Sequence, residues 1–283
     1  MQQHHSICSF TNSDSWVILS PIEQNIKRKI ETVGTPLKDW DINIYRGVLT
    51  GYNDAFIISS EKRDEILSKC QTEEERQKTA ELIRPILRGR DIKRYKYDWE
   101  NLWIINTHNG IKGKAPRIQI EDYPAIKAHL DLFWDNISKR VDKGDTPYNL
   151  RSCAYMDDFS KPKIVWGNLN LTASYALVED NSFINAPSPM IVPASKYLLA
   201  ILNSKLADYY IRQLGVTRNG GYFEYKPMFI EKLPVPIFNS NNINLVKIET
   251  LVDCADYATI DQLVYDIYGL TQEEIQYIEK SPL

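Results

Sequence analysis

At Ser195 the chain changes character, and that change bounds its fold more tightly than any single motif. Beyond it every periodic segment is helical. Residues 197–214 predict a long apolar helix closed by Gly215, residues 243–257 and 260–268 two more, and Thr271 with Glu274 the cap of a last one. Before it, helical and strand-like segments are interleaved. Ser20, Pro21 and Glu23 form a helix start, followed by the apolar stripe Ile22, Ile26, Ile30 and Val33, which Gly34 ends. A β-rich stretch runs through Ile42, Ile44, Val48 and residues 55–58, with Gly47 and Gly51 at turn or close-approach positions. Thr72 and Glu75 predict a second capped helix over residues 72–87, with Pro85 near its end. Residues 102–106 read as a strand, 109–114 as a glycine-rich polar loop, and 123–139 as a helix. Residues 163–166, 173–178 and 190–192 read as strands. The order predicts an α+β fold: a mixed, β-rich part over 1–195 with its N-terminal helix, and a helical part over 196–283.

Charge divides the chain in the same way. From residue 239 onward two lysines face eight acids, a net −6, so residues 1–238 sum to +3 within a total of −3. Inside the first part, Arg84, Arg88, Arg90, Lys93, Arg94 and Lys96 are opposed only by Asp91. A local basic segment beside an acidic tail suggests two faces with different partners. The four cysteines have neither metal-ligand nor redox spacing, which predicts a reduced compartment. With no signal pattern and no apolar run long enough to span a bilayer, the expectation is a cytoplasmic protein without membrane contact.

No motif for catalysis stands out. The sequence has no Gly-Lys-Ser/Thr phosphate loop, no His-Glu-x-x-His helix, no Gly-x-Ser-x-Gly elbow and no glycine-rich methyl-donor loop with an Asn/Asp-Pro-Pro-Tyr/Phe partner. The pairs Glu231-Lys232 and Glu279-Lys280 are adjacent surface charges rather than a clustered nuclease site. The chain is expected to carry no catalysis of its own and to hold neither cofactor nor metal.

Binding candidates are clearer. The run Arg88, Arg90, Lys93, Arg94 suits phosphate neutralisation or guanine recognition, and suits a solvated helix end equally well. The loop with Lys112 and Lys114, followed by Arg117, is either a surface loop or one that orders on a phosphate backbone. Arg218, Asn219, Gly220, Gly221 and Tyr222 combine base-reading side chains, close backbone approach and a stacking ring; a plain helix-terminating loop accounts for them too. Most aromatic residues, Trp103, Trp134 and Trp166 among them, are expected in the core.

Five segments, in this order, resemble the TaqI-like C-terminal specificity domain of type IIG restriction-methyltransferases. Gly47, Thr50, Gly51, Asn53, Ala55 and Phe56 match its opening, and residues 83–92 with Tyr95 match a segment centred on Leu87-Arg88-Gly89-Arg90-Asp91. Lys161-Pro162-Lys163-Ile164 matches a strand, residues 198–206 a helix, and residues 229–236 a closing stretch. The resemblance implies a DNA recognition module related to the recognition domain and helical spacer of type I specificity subunits. It implies an adenine methyltransferase, and often a nuclease, elsewhere in the parent enzyme; S-adenosylmethionine and Mg2+ would belong to those parts. It makes Gly47, Thr50 and Gly51 turn-shaping, and gives Arg88 and Arg90 a phosphate or fold-holding role. Specificity is then expected between the shared segments, at 109–117, 140–151 and 168–172, which adds Arg151 and Asn170 to the candidates. Double-stranded DNA, a methyltransferase and a nuclease are the implied partners. The competing expectation is a helical docking module, apolar on Leu198, Leu199, Leu202 and Leu206, with little DNA binding of its own.

Overall fold

A computed structural model describes residues 19–281 except Val216. The fold is mixed α+β, with sheets in the first two thirds and helices gathered toward the C-terminus. Among the described residues the first element is α1 (Pro21–Val33), where the Ser20 hydroxyl accepts from the Glu23 amide and the Glu23 carboxylate accepts from the Ser20 amide. The two larger sheets and one small ribbon are built from β1 (Asn43–Arg46), β2 (Ile57–Ser59), β3 (Ile83–Leu87), β4 (Leu102–Ile105), β5 (Lys163–Trp166), β6 (Leu169–Asn170), β7 (Tyr175–Val178), β8 (Phe183–Ile184), β9 (Pro189–Val192) and β10 (Phe223–Glu224), beside two short pairs, Thr35–Pro36 with Pro234–Val235 and Ile92–Lys93 with Lys96–Tyr97. Between them lie α2 (Ser60–Ser68), α3 (Glu73–Leu82) and α4 (Pro124–Asp131). After Ser195 come α5 (Lys196–Asn203), α6 (Lys205–Arg212), α7 (Ile243–Asp253), α8 (Tyr257–Ile267) and α9 (Gln272–Lys280).

Two four-stranded sheets organise the first part. One is antiparallel throughout, in the order β7-β5-β9-β1. The other has the order β8-β3-β4-β2, with β8 parallel to β3. Strand side chains alternate between faces, and in the first sheet both faces are buried. Ile164, Trp166, Tyr175 and Ile191 point into a core shared with the C-terminal helices. Val165, Ala176, Val178, Met190 and Val192 point into a second core with the other sheet. This sheet is therefore the wall common to both cores. Ile26 and Ile30 of α1 join the helical core, and Lys29 bonds the Glu274 carboxylate (2.7 Å) and the Gly269 carbonyl (2.7 Å). Helix α1 is thus fastened to α9.

Expected elements differ in four places. Of residues 55–58, read as β, only Ile57 and Ile58 are strand, because Asn53–Phe56 forms a helical turn. The helix predicted over 72–87 stops at Leu82, and Ile83–Leu87 is a strand. Its pairing changes sides: Ile83, Arg84 and Pro85 pair with β4, whereas Ile86 and Leu87 pair with β8. Pro85, which cannot donate, sits where the ladder switches. The apolar helix predicted over 197–214 is two helices broken at Ser204. There the Ser204 hydroxyl accepts from the Ala207 amide (3.2 Å) and the Asp261 carboxylate from the Lys205 amide (2.9 Å), which satisfies a fresh helix start inside the protein. The segment 123–139 forms α4 and a single further turn, Trp134–Ile137. Trp166 is fully buried, but Trp134, expected in the core, is 44% exposed.

Of the entrance glycines expected to shape a turn, Gly51 does so and Gly47 instead permits a close backbone contact. A Cβ on Gly47 would lie 2.3 Å from the Ile184 carbonyl oxygen, inside the contact between β1 and the β8 region. Gly51 has φ +69°, and the Thr50 hydroxyl bonds the Asn53 side chain at 2.5 Å.

Candidate nucleic-acid interface

The basic run between 84 and 96 is divided among different tasks. Arg88 Nε and Nη2 donate to the two carboxylate oxygens of Asp91 (3.1 and 2.9 Å), and the Arg88 amide donates to the same group (2.8 Å). Asp91 is buried, so this pair closes the turn after β3, and its hydrogen bonds raise the Arg88 pKa. The Arg-x-x-Asp spacing was the sequence signal for it. Arg94 points toward the helical part: Nε and Nη2 bond the Asn203 carbonyl at the end of α5 (3.2 and 2.9 Å), and Asp261 lies at 3.5 Å. Its guanidinium also rests near the rings of Tyr95 and Tyr257, which stack on each other. Lys93 is exposed and donates to the Arg90 carbonyl (2.6 Å). Arg90 is exposed and makes no salt bridge among the described residues.

A second group gathers the 109–117 loop against 142–157. Lys114 pairs with Asp157, Arg117 with Asp145 (3.3 Å) and Arg151 with Asp142 (2.8 Å). Asn109 ties the loop down through the Asp145 side chain (3.0 Å), the Ser152 hydroxyl (2.9 Å) and the Asp145 amide (2.9 Å). Lys112, exposed at the tip and without a salt bridge among the described residues, borders an open cleft of about 430 Å³ with Ile111, Ser152 and Cys153.

A third group is a small ribbon, β6 against β10, with Asn170 opposite Phe223 and Leu169 opposite Glu224. The chain reaches β10 through a tight turn in which the Arg218 amide donates to the Tyr222 carbonyl (2.6 Å). Arg218 faces Glu224 (3.1 Å), Asn219 and Tyr222 are exposed, and the Asn170 amide bonds the Gly167 carbonyl (2.8 Å).

Direct contacts connect the second and third groups. The Tyr155 hydroxyl donates to the Arg46 carbonyl (3.0 Å), and Arg46 pairs with Pro189. The neighbouring Ser188 hydroxyl lies 2.8 Å from where a Cβ on Gly89 would stand, and the Gly89 carbonyl 3.1 Å from where one on Gly167 would stand. Arg90 therefore sits between the two loop groups along a continuous path of packed backbone. Arg88 and Arg94 are near it in sequence but are committed to holding the structure.

Three supports were not legible beforehand. Buried Arg140 donates to the carbonyls of Thr50, Asp142 (3.1 Å), Pro147 (2.9 Å) and Asn149 (2.5 Å), over the Phe56 ring. Burial lowers its pKa to about 10, against the attraction of Asp142. It fixes the 140–151 segment from inside. Lys163 is wholly buried, with Nζ donating to the carbonyls of Phe159 (2.8 Å), Asp180 (2.9 Å) and Lys161 (3.3 Å). Burial pulls its pKa down to about 8, against the attraction of Asp180. Finally, Arg212 bonds Asp208 (3.1 Å), the Tyr225 hydroxyl (3.0 Å) and the Leu171 carbonyl, while Tyr225 donates to Asp208 (2.5 Å). The Tyr225 amide also holds the Asn168 carbonyl (2.9 Å), and Trp166 Nε1 holds the Tyr225 carbonyl (2.7 Å). A buried ion pair on α6 thereby anchors the backbone of the 168–172 loop.

Among the described residues no group of three or more His, Cys, Asp or Glu is placed to hold a metal, and no helix is long and apolar enough to cross a membrane. Loops carried on a double-sheet scaffold, with a helical section behind, have the build of a specificity module. The particular family follows from the sequence, which matches the TaqI-like C-terminal specificity domain over residues 84–235, more than half of the chain, and the chain belongs to that family. The first sheet's strand β1 and the entrance glycines lie before the matched residues. No curated protein sequence matches the chain significantly.

Solved structures that share the fold include two restriction-modification enzymes. One is the type IIL restriction-modification enzyme MmeI in complex with DNA, at 12% identity and a TM-score of 0.62; the likeness covers 88% of this chain and 36% of that one. The other is the type IIG restriction endonuclease BpuSI, at 15% identity and a TM-score of 0.57, covering 92% of this chain and 32% of that one. The chain thus spans about a third of the length of each.

Proposed function

We propose that this chain reads a DNA target for a restriction-modification enzyme and brings an S-adenosylmethionine-dependent adenine methyltransferase, and with it a nuclease, to that site. The observation that carries the reading is membership in a specificity-domain family combined with the loop arrangement. Candidate loops separate in sequence, 109–117 and 168–172 with 217–222, are joined by packed backbone at Arg90. Phosphate contacts from Arg90, Lys93, Lys112 and Arg218 would set position along the duplex, and loop side chains would read base edges. Catalysis, methyl donor and Mg2+ fall to the partner, whose cytoplasmic setting the chain would share.

The division of labour has a structural counterpart in the shared sheet. The part up to residue 195 carries the candidate loops 109–117 and 168–172, and the 217–222 turn reaches back from the second part to join them through β10; the helices from 196 on form the rear core and would serve as spacer or docking section. Exposed Ile237, Phe238, Ile243 and Val246 on that section favour a partner contact there. The test is selection of bound duplexes from a random library by the full chain, alone and with a co-expressed methyltransferase, followed by titration at several salt concentrations. A single enriched sequence with salt-dependent affinity is the expected result. Equal affinity for all duplexes, or none in either form, rejects the proposal.

A further inference from the structure

The β6–β10 ribbon exposes apolar side chains where a solvated loop has no use for them. Leu169 is 50% exposed, Leu171 51% and Tyr222 41%. Leu169 lies on β6 and Leu171 in the bend that follows it, both half exposed, while Asn170 between them pairs with the fully buried Phe223. Leu171 lies over the Gly221 backbone, where a Cβ would meet its Cδ2 at 3.9 Å. The backbone below is fixed by Arg212, Tyr225 and the Asn170 side chain. The leucines are therefore presented on a rigid support.

Charge around them selects the occupant. The one carboxylate on the ribbon, Glu224, faces two cations, Arg218 at 3.1 Å and Lys226 at 2.6 Å, and exposed Arg90 stands across the Gly89–Gly167 contact. An apolar ridge flanked by surplus positive charge is complementary to a groove with phosphate walls and an apolar feature on its floor. The major groove admits a two-stranded ribbon, and the apolar group displayed there is the thymine C5-methyl. We infer that Leu169 and Leu171 enter the major groove and read thymine methyl groups. This rests on the DNA-recognition reading above and assigns part of the specificity to apolar contact rather than hydrogen bonding.

The test removes the methyl groups and leaves every hydrogen bond in place. The full chain is titrated with its selected duplex, and then with duplexes in which each thymine in turn is deoxyuridine. Burying one methyl against leucine is worth about fourfold in affinity, so about fourfold weakening is expected at one or two adjoining positions and none elsewhere. In the double variant Leu169→Asn, Leu171→Asn, thymine and deoxyuridine duplexes should bind equally. Binding that is specific yet indifferent to every thymine replacement overturns this inference and leaves the DNA-recognition reading standing. A chain that binds no duplex overturns both. The replacement is made in the DNA, so the wild-type result does not depend on the variant folding.

Discussion

Replacing Lys163 with methionine separates a scaffold role from a DNA-contact role for the lysine in the shared Lys-Pro-Lys-Ile segment. The ammonium is out of water and surrounded by three carbonyls, with no carboxylate in contact. Burial lowers its pKa from 10.5 to about 8. For a base held below its unfolded pKa, the native state binds fewer protons than the unfolded state between the two values, so stability rises with pH across that window. Below pH 8 both states are protonated and the full cost of burying the charge stands. By pH 10 most of it is relieved, a gain of about 2.5 kcal/mol for a shift of this size. Methionine fills similar volume without titrating. It strands the three carbonyls, and at pH 7 that loss is offset by removal of the buried charge. The quantity to measure is the difference in unfolding free energy between wild type and Lys163→Met, from urea transitions at pH 7 and pH 10. Taking the difference cancels other groups that titrate in the range. It should move by about 2.5 kcal/mol in favour of wild type. A difference flat with pH would refute the buried-ammonium argument, and a variant with normal stability but weakened DNA binding would place Lys163 at the interface instead.

Arg212→Met should cost about 3–5 kcal/mol, because it leaves Asp208 buried beside Tyr225 without its cation; adding Asp208→Asn should recover part of that in the same denaturation assay. Gly47→Ala, whose Cβ would press on the Ile184 carbonyl, should destabilise by about 1–3 kcal/mol. Gly113→Ala has open space and only φ +74° against it, so thermal unfolding should show about 1 kcal/mol. Arg90→Ala should weaken binding to every duplex alike and lower the slope of log affinity against log salt by about 1. Arg88→Ala should instead lower stability, since its partner Asp91 is buried.

The sequence carried the layer order because periodicity records burial. Ile164, Val165 and Trp166 form an unbroken apolar run for a reason now visible: one face packs on the helices and the other on the second sheet. The same property misled at 83–87. Leu82, Ile83, Ile86 and Leu87 satisfy a helical repeat as well as a buried strand, and what decides between them is pairing with β4 and β8, whose residues lie elsewhere in the chain. Ser204 was missed similarly, since the acceptor that completes the break, Asp261, is remote in sequence.

The site was less legible than the fold because charge in a sequence has no direction. Arg88, Arg90 and Arg94 look alike in the run, yet one bonds a buried carboxylate, one is exposed, and one reaches the end of α5. Arg140 illustrates the limit more strongly. Nothing in a polar segment marks one arginine as buried, and only its carbonyl partners from Thr50 to Asn149 reveal that it holds the segment up. The segments that resemble the family supplied what local chemistry could not, an expectation of which positions maintain the scaffold. Gly47, Gly51 and Arg88 do so on packing grounds alone. Leu169 and Leu171 belong to neither polar base reading nor the core. Their exposure on a backbone that Arg212 immobilises makes the ribbon the element whose chemistry the shared segments leave undetermined.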